Sequence, residues 1–115
     1  MKLFQVVVLP QAEADIEANA HWWALNRSFG QAVHWFDVIH EQLSSLAFLP
    51  ESHSLSPEND DFPFEIRDKL VGIGSRPSYR VVFTIANDTV FVLTVRRGTQ
   101  DVVRPHDVDF SPPDS

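Results

Sequence analysis

Residues 78–98, SYRVVFTIANDTVFVLTVRRG, constrain this chain more than any other stretch. Two runs rich in β-branched and aromatic residues, Tyr79 to Ala86 and Thr89 to Arg97, flank Asn87-Asp88, which readily take the left-handed conformations of a tight turn. The expected element is a β-hairpin. With a two-residue loop Ala86 faces Thr89, and the pairing carried outward sets Arg80 opposite Val95 and diagonal to Arg97. In that register Arg80, Val82, Thr84, Phe91, Leu93, Val95 and Arg97 share one face, and Tyr79, Val81, Phe83, Ile85, Val90, Val92, Thr94 and Arg96 share the other. Both faces are largely apolar near the turn, as in a central pair of strands, and both turn cationic at the open end, where Arg80, Arg96 and Arg97 converge. A bulge would move one strand's side chains to the opposite face, but the gathering of arginines at one end survives either register.

The rest of the chain supplies what packs against this ribbon. Residues 2–9 read as a short β-branched strand stopped by Pro10. From Gln11 the pattern becomes helical: Ala12, Ile16, Ala20 and Trp23 recur at four- and three-residue steps, with Glu13, Asp15 and Glu17 in the first turns, where the helix dipole favours anions. This helix should end near residues 26–28. A second begins around Phe29-Gly30 and carries Ala32, Phe36, Ile39, Leu43 and Leu46 on one face until Pro50 stops it. So short a connection predicts an antiparallel helical hairpin against one face of the sheet. Trp22, Trp23 and Trp35, at helical spacing, read first as core aromatics, with the alternative that one of them stays exposed to meet a partner. Residues 53–63 read as a loop, 64–71 as a strand, 72–77 as a turn, and 99–104 as a last short strand. The expected fold is α+β: an N-terminal strand, then a two-helix antiparallel hairpin packed on a C-terminal antiparallel sheet. Residues 1–104 form one domain, and 105–115 an acidic, proline-containing, loose tail.

A chain of 115 residues builds one core and not two. The absence of cysteine removes disulfides and thiolate chemistry, and the apolar run of residues 3–9 is too short for a signal peptide or a membrane span, so the expected compartment is the cytoplasm. The net charge of −7 argues against a nucleic-acid binder until its distribution is considered. Residues 1–64 carry two basic and nine acidic groups, 65–104 carry seven basic and four acidic, and the tail adds three acids. Positive charge is therefore concentrated on the segment holding the hairpin.

Few chemistries survive inspection of the motifs. His21, His34, His40, His53 and His106 lack the spacing of a metal site, so no metal is expected. The GIGSRP turn lacks the spacing and Lys-Ser/Thr of a phosphate loop, and there is no Gly-x-Ser-x-Gly elbow, so neither a cofactor nor a serine nucleophile is expected. What remains is the cationic set Arg67, Lys69, Arg76, Arg80, Arg96 and Arg97, together with Tyr79, the only tyrosine.

Glu65-Ile66-Arg67, then Tyr79-Arg80-Val81-Val82-Phe83, an acidic turn, and Val90-Phe91-Val92-Leu93-Thr94-Val95-Arg96-Arg97-Gly98 resemble the C-terminal half of the RelE/ParE family of bacterial toxins, the stable partners of type II toxin–antitoxin pairs. With the N-terminal strand and helices, the resemblance spans about residues 3–104. It implies a cognate antitoxin whose partly disordered segment folds onto the toxin, and it implies one of two activities. In RelE-like members, ribosome-dependent mRNA cleavage uses basic side chains on the sheet, which would fall to Arg80, Arg67 and Arg97. In ParE-like members the toxin poisons DNA gyrase by binding, and the contact residues would be Arg80, Arg96, Arg97 and Tyr79. The sequence is closer to the ParE branch. Glu65 stands where cleaving members often carry lysine, Thr99-Gln100 replace a commonly basic pair, and Val102, Val103 and Arg104 supply no tyrosine for proton transfer. A third reading is an inactive member that only binds antitoxin.

Overall fold

The computed structural model describes residues 1–74, 78–98 and 101–113. Its regular elements are β1 (Gln5–Val8), α1 (Pro10–Asn26), α2 (Phe29–Ser44), β2 (Arg67–Val71), β3 (Tyr79–Ala86) and β4 (Thr89–Arg97), with short 3-10 turns at Ser45–Ala47, Pro50–Ser52, Asn59–Asp61 and Pro105–Asp107. The fold is α+β. The strands form one sheet in the order β1-β4-β3-β2. The pairs β2–β3 and β3–β4 are antiparallel, as expected, while β1 joins β4 in parallel.

Local chemistry sets the element ends. Pro10 opens α1, where a missing N–H leaves no bond unmade, and Leu9 before it is extended. Ser28 caps α2, its Oγ accepting from the Gln31 N–H at 3.1 Å. The strand expected from residue 64 begins only at Arg67. The loop before it takes the backbone groups of Ile66: its carbonyl accepts from the Ser56 N–H, and its N–H donates to Asn59 Oδ1. Residues 101–104 are not a strand, while Thr99, Gln100 and residues 75–77 of the expected turn lie outside the described residues.

The hairpin turn forms where expected, with Asn87 at φ 56° and Ala86 opposite Thr89. The register holds only to Phe83 opposite Val92; there it slips by one residue, so Arg80 faces Arg96 and Tyr79 faces Arg97. The slip accompanies the end of β1. Val8 pairs with Val92, after which the chain turns into α1, and β4 continues without a strand on that side. Asp15 of α1 fills the gap: its carboxylate accepts from the Val95 N–H at 3.1 Å and from the Thr94 hydroxyl.

The sheet is covered on both faces. Beneath the helices, Ile16, Trp35, Ile39, Leu43 and Leu46 pack on Tyr79, Val81, Phe83, Val90, Val92 and Val95. On the other face Phe62, Ile66, Val103 and Val108 pack on Val82 and Leu93, with Phe64, Phe91 and Phe110 at the margin. Residues 105–110, expected to be a loose tail, thus turn back over the sheet because Val108 and Phe110 find apolar floor there.

Candidate interaction site at the open end of the hairpin

The slipped register decides what the arginines do. Arg80 and Arg97 were expected on one face with Arg96 on the other. Instead Arg80 and Arg96 share the face opposite the helices, while Arg97 shares the helical face with Tyr79. The arginines do gather at one end of the hairpin, in three different environments.

Arg80 is 1% exposed in a strand whose neighbours are apolar on both faces. A guanidinium so placed needs counter-charges, and it has two. Nη2 and Nη1 donate to Glu58 at 2.7 and 3.0 Å, Nε donates to Asp68 at 2.7 Å, and Nη1 also reaches the Asp101 carbonyl at 3.3 Å. Glu58, itself 7% exposed, accepts the Val103 N–H at 2.9 Å, and Asp68 accepts from the Ser56 hydroxyl. Burial by itself would raise the Glu58 carboxyl, but hydrogen bonds from Arg80 and Val103 and the Arg80 charge outweigh it and hold the group below its ordinary value. For Arg80, burial works to lower the pKa and the bonds to Glu58 and Asp68 prevail, so it is raised. Arg80 thus ties β3, β2, the 56–58 loop and the 101–103 segment together. Arg96 reaches Asp101 at 3.3 Å and Asp107 at 3.5 Å.

Arg67 is engaged elsewhere: its guanidinium donates to the His53 carbonyl at 2.6 Å and to Glu65 at 2.8 Å. Burial, then the charges of Lys69 and Arg67, lower the pKa of His53. Arg67, Arg80 and Arg97 therefore do not converge on one point. Arg76 lies outside the described residues.

Arg97 is different. It is exposed, and its guanidinium stacks 4.2 Å over the ring of Trp22. Trp22 meets Trp23 edge-on at 5.9 Å, and the Trp23 indole N–H donates to the Tyr79 hydroxyl at 3.1 Å. Tyr79, 3% exposed, packs its ring 5.0 Å from Trp35. Trp23 also lines a cavity of about 360 Å³ with Arg27, Gln31, His34 and Ile73. The result is a half-buried aromatic platform edged by an exposed arginine, the composition that dominates binding hot spots. The sequence left open which of the three tryptophans stays outside the core; it is Trp22 that meets Arg97, and nothing in its spacing reveals a partner 75 positions away. Glu58 and Asp68 also went unread: Arg80 is the second residue of its strand, where a solvated arginine is ordinary, and the partners lie 22 and 12 positions away.

These elements are those of the RelE/ParE-like α+β class, and the comparisons specify the branch. The chain belongs to the ParE toxin family: the family described as "ParE toxin of type II toxin-antitoxin system, parDE" matches residues 6–102. A similar solved structure is the "Chromosomal ParDE TA system from P. aeruginosa", at TM-score 0.69 and 17% identity, covering 84% of this chain and 97% of that one. No curated protein matches the sequence significantly. No helix among the described residues is long and apolar enough to cross a membrane.

Proposed function

We propose that this chain is the growth-arresting member of a toxin–antitoxin pair and that it acts by binding DNA gyrase, with Arg97 and Trp22 at the centre of the contact. The carrying observation is the division of labour among the arginines. Arg80 is spent on an internal lock, whereas Arg97 is exposed on an aromatic platform with no carboxylate partner for its guanidinium among the described residues. Arg96 lies behind the acidic 101–107 segment, and Tyr79 supports the platform from beneath. A poison that works by binding needs such a surface, not a convergent set of acids and bases.

The mRNA-cleaving alternative requires free cations and a proton-transfer group on one surface. Here Arg80 and Arg67 have carboxylate partners, and the Tyr79 hydroxyl is buried against Trp23. For the antitoxin, the outer side of the helical hairpin offers an apolar groove of about 320 Å³ lined by Ala20, Ala24, Phe29, Val33 and Phe36. Phe29 is 77% exposed there, which suits a segment that folds as it docks.

The test is supercoiling of relaxed plasmid by purified gyrase. The protein should inhibit it, and Arg97→Ala or Trp22→Ala should relieve the inhibition at least tenfold in concentration while leaving the fold intact. Undiminished supercoiling, with cuts inside translated messages after induction, would reverse the assignment.

A further inference from the structure

We propose that the trough on the sheet face opposite the helices is a peptide-binding surface, filled here by the chain's own residues 104–110. In trans it accepts a segment that begins on a tight turn carrying an acid and continues with two apolar side chains two residues apart. The proposal concerns binding alone and does not depend on toxicity or on gyrase.

The chemistry of the occupant is visible in Asp107-Val108-Asp109-Phe110. Val108 enters the cluster with Phe62, Val82 and Leu93, and the Phe110 ring lies 4.8 Å from Phe91 and 6.1 Å from Phe64. Asp107 reaches Arg96 at 3.5 Å. The same trough therefore reads one acid and two apolar residues.

Three features mark this segment as seated rather than built in. First, its backbone bonds close on itself: among the described residues, the N–H groups of Arg104, Asp107 and Val108 donate to Asp107 Oδ2, the Arg104 carbonyl and the Pro105 carbonyl. The preceding residue, Val103, is fully buried and its N–H is held by Glu58, so the fixed part of the chain ends there. Second, the fit is incomplete. Cavities of about 410 Å³ and about 200 Å³ flank Val108, one toward Phe62 and Phe64 and the other toward Leu9 and Leu93. Third, the receiving cation is under-used: Arg96 Nε is buried with no hydrogen-bond partner among the described residues, and its two carboxylate contacts are long, at 3.3 and 3.5 Å. A carboxylate on a better-placed backbone would engage it fully. The floor itself needs no help from the segment, because β3 and β4 are also held by the helix-side core.

The probe is a fluorescent peptide with the sequence of residues 104–113, titrated into the full-length chain and into the full-length double variant Val108→Ser/Phe110→Ser. The variant should bind at least tenfold more tightly than the parent chain, and adding Arg96→Ala should weaken that binding. A folded variant that takes the peptide no better than the parent overturns the proposal. Hydrogen exchange on the unaltered chain decides the matter even if the variant does not fold. The amides of Asp107 and Val108 should exchange at least a hundredfold faster than those of Val82 and Phe91. Exchange of all four at one common rate would show that the segment is part of the cooperative core, and the proposal would fall.

Discussion

At the scale of single residues, two arginines seventeen positions apart make opposite predictions. Removing the Arg80 side chain leaves Glu58 buried, and Asp68 partly so, without their counter-charge, a loss of about 3–5 kcal/mol. Urea denaturation of Arg80→Ala measures it directly. Arg97→Ala removes only an exposed stack on Trp22, worth about 0.5–1 kcal/mol, so its midpoint should barely move while gyrase inhibition is lost. The lock also sets an acid limit. The folded pKa of Glu58 lies below its ordinary 4.5, so as pH falls the unfolded chain takes up the proton first. The stabilisation is complete at neutral pH, begins to fade near 4.5, and is gone once pH has passed below the folded value. Thermal melts should show that decline, and Glu58→Gln, less stable at neutral pH, should flatten it. From the sequence Arg80 stood among the cations offered to a target; its burial, and the Glu58 and Asp68 partners that make burial tolerable, became visible only in the structure.

At the scale of elements, the hairpin shows how far pattern reaches. Its strands and its turn follow from β-branched runs around Asn87-Asp88. The turn places Asn87 at φ 56°, a conformation that a β-branched residue resists. Asn87→Val should destabilise the chain by about 1–2 kcal/mol, while Asn87→Gly should be neutral or better by the same urea measurement. The slip after Phe83 was not readable, because it depends on β1 ending at Val8 and on Asp15 reaching across from α1. Replacing Asp15 by alanine strands the Val95 N–H and the Thr94 hydroxyl, at about 1–3 kcal/mol. Amide exchange at Val95 should quicken in that variant before exchange at Val82 does. The two helices were legible from Ala12, Ile16, Ile39 and Leu43, all buried. Trp35, 0% exposed and the largest buried side chain, was read with the core aromatics but stood outside the stripe drawn for α2.

At the scale of the whole molecule, the sheet divides the protein into a helical side and a loop side, and the arginines are sorted between them. Expression of the chain alone should arrest bacterial growth, and co-expression of its antitoxin should restore it; Arg97→Ala should grow normally at undiminished soluble yield. Normal growth with the unaltered chain, alongside tight antitoxin binding, would instead mark a member that only binds. The two sides also make different demands on a partner. The helical groove calls for an apolar helix face, and the loop-side trough for a segment that turns on an acid and then lays down two apolar side chains.

By itself the sequence determined the two helices, the first strand and the hairpin, because hydrophobic period, proline stops and turn residues act over a few neighbours and need no knowledge of the rest. It did not determine residues 101–110, read as a strand end and a loose tail, whose course depends on the sheet face they cover. It also determined that cations collect at one end of one ribbon. Which face each cation occupies, and which acids neutralise it, were settled only in three dimensions. A one-residue slip inverts a strand's side chains, and it was fixed by contacts between residues such as Asp15 and Val95, 80 positions apart.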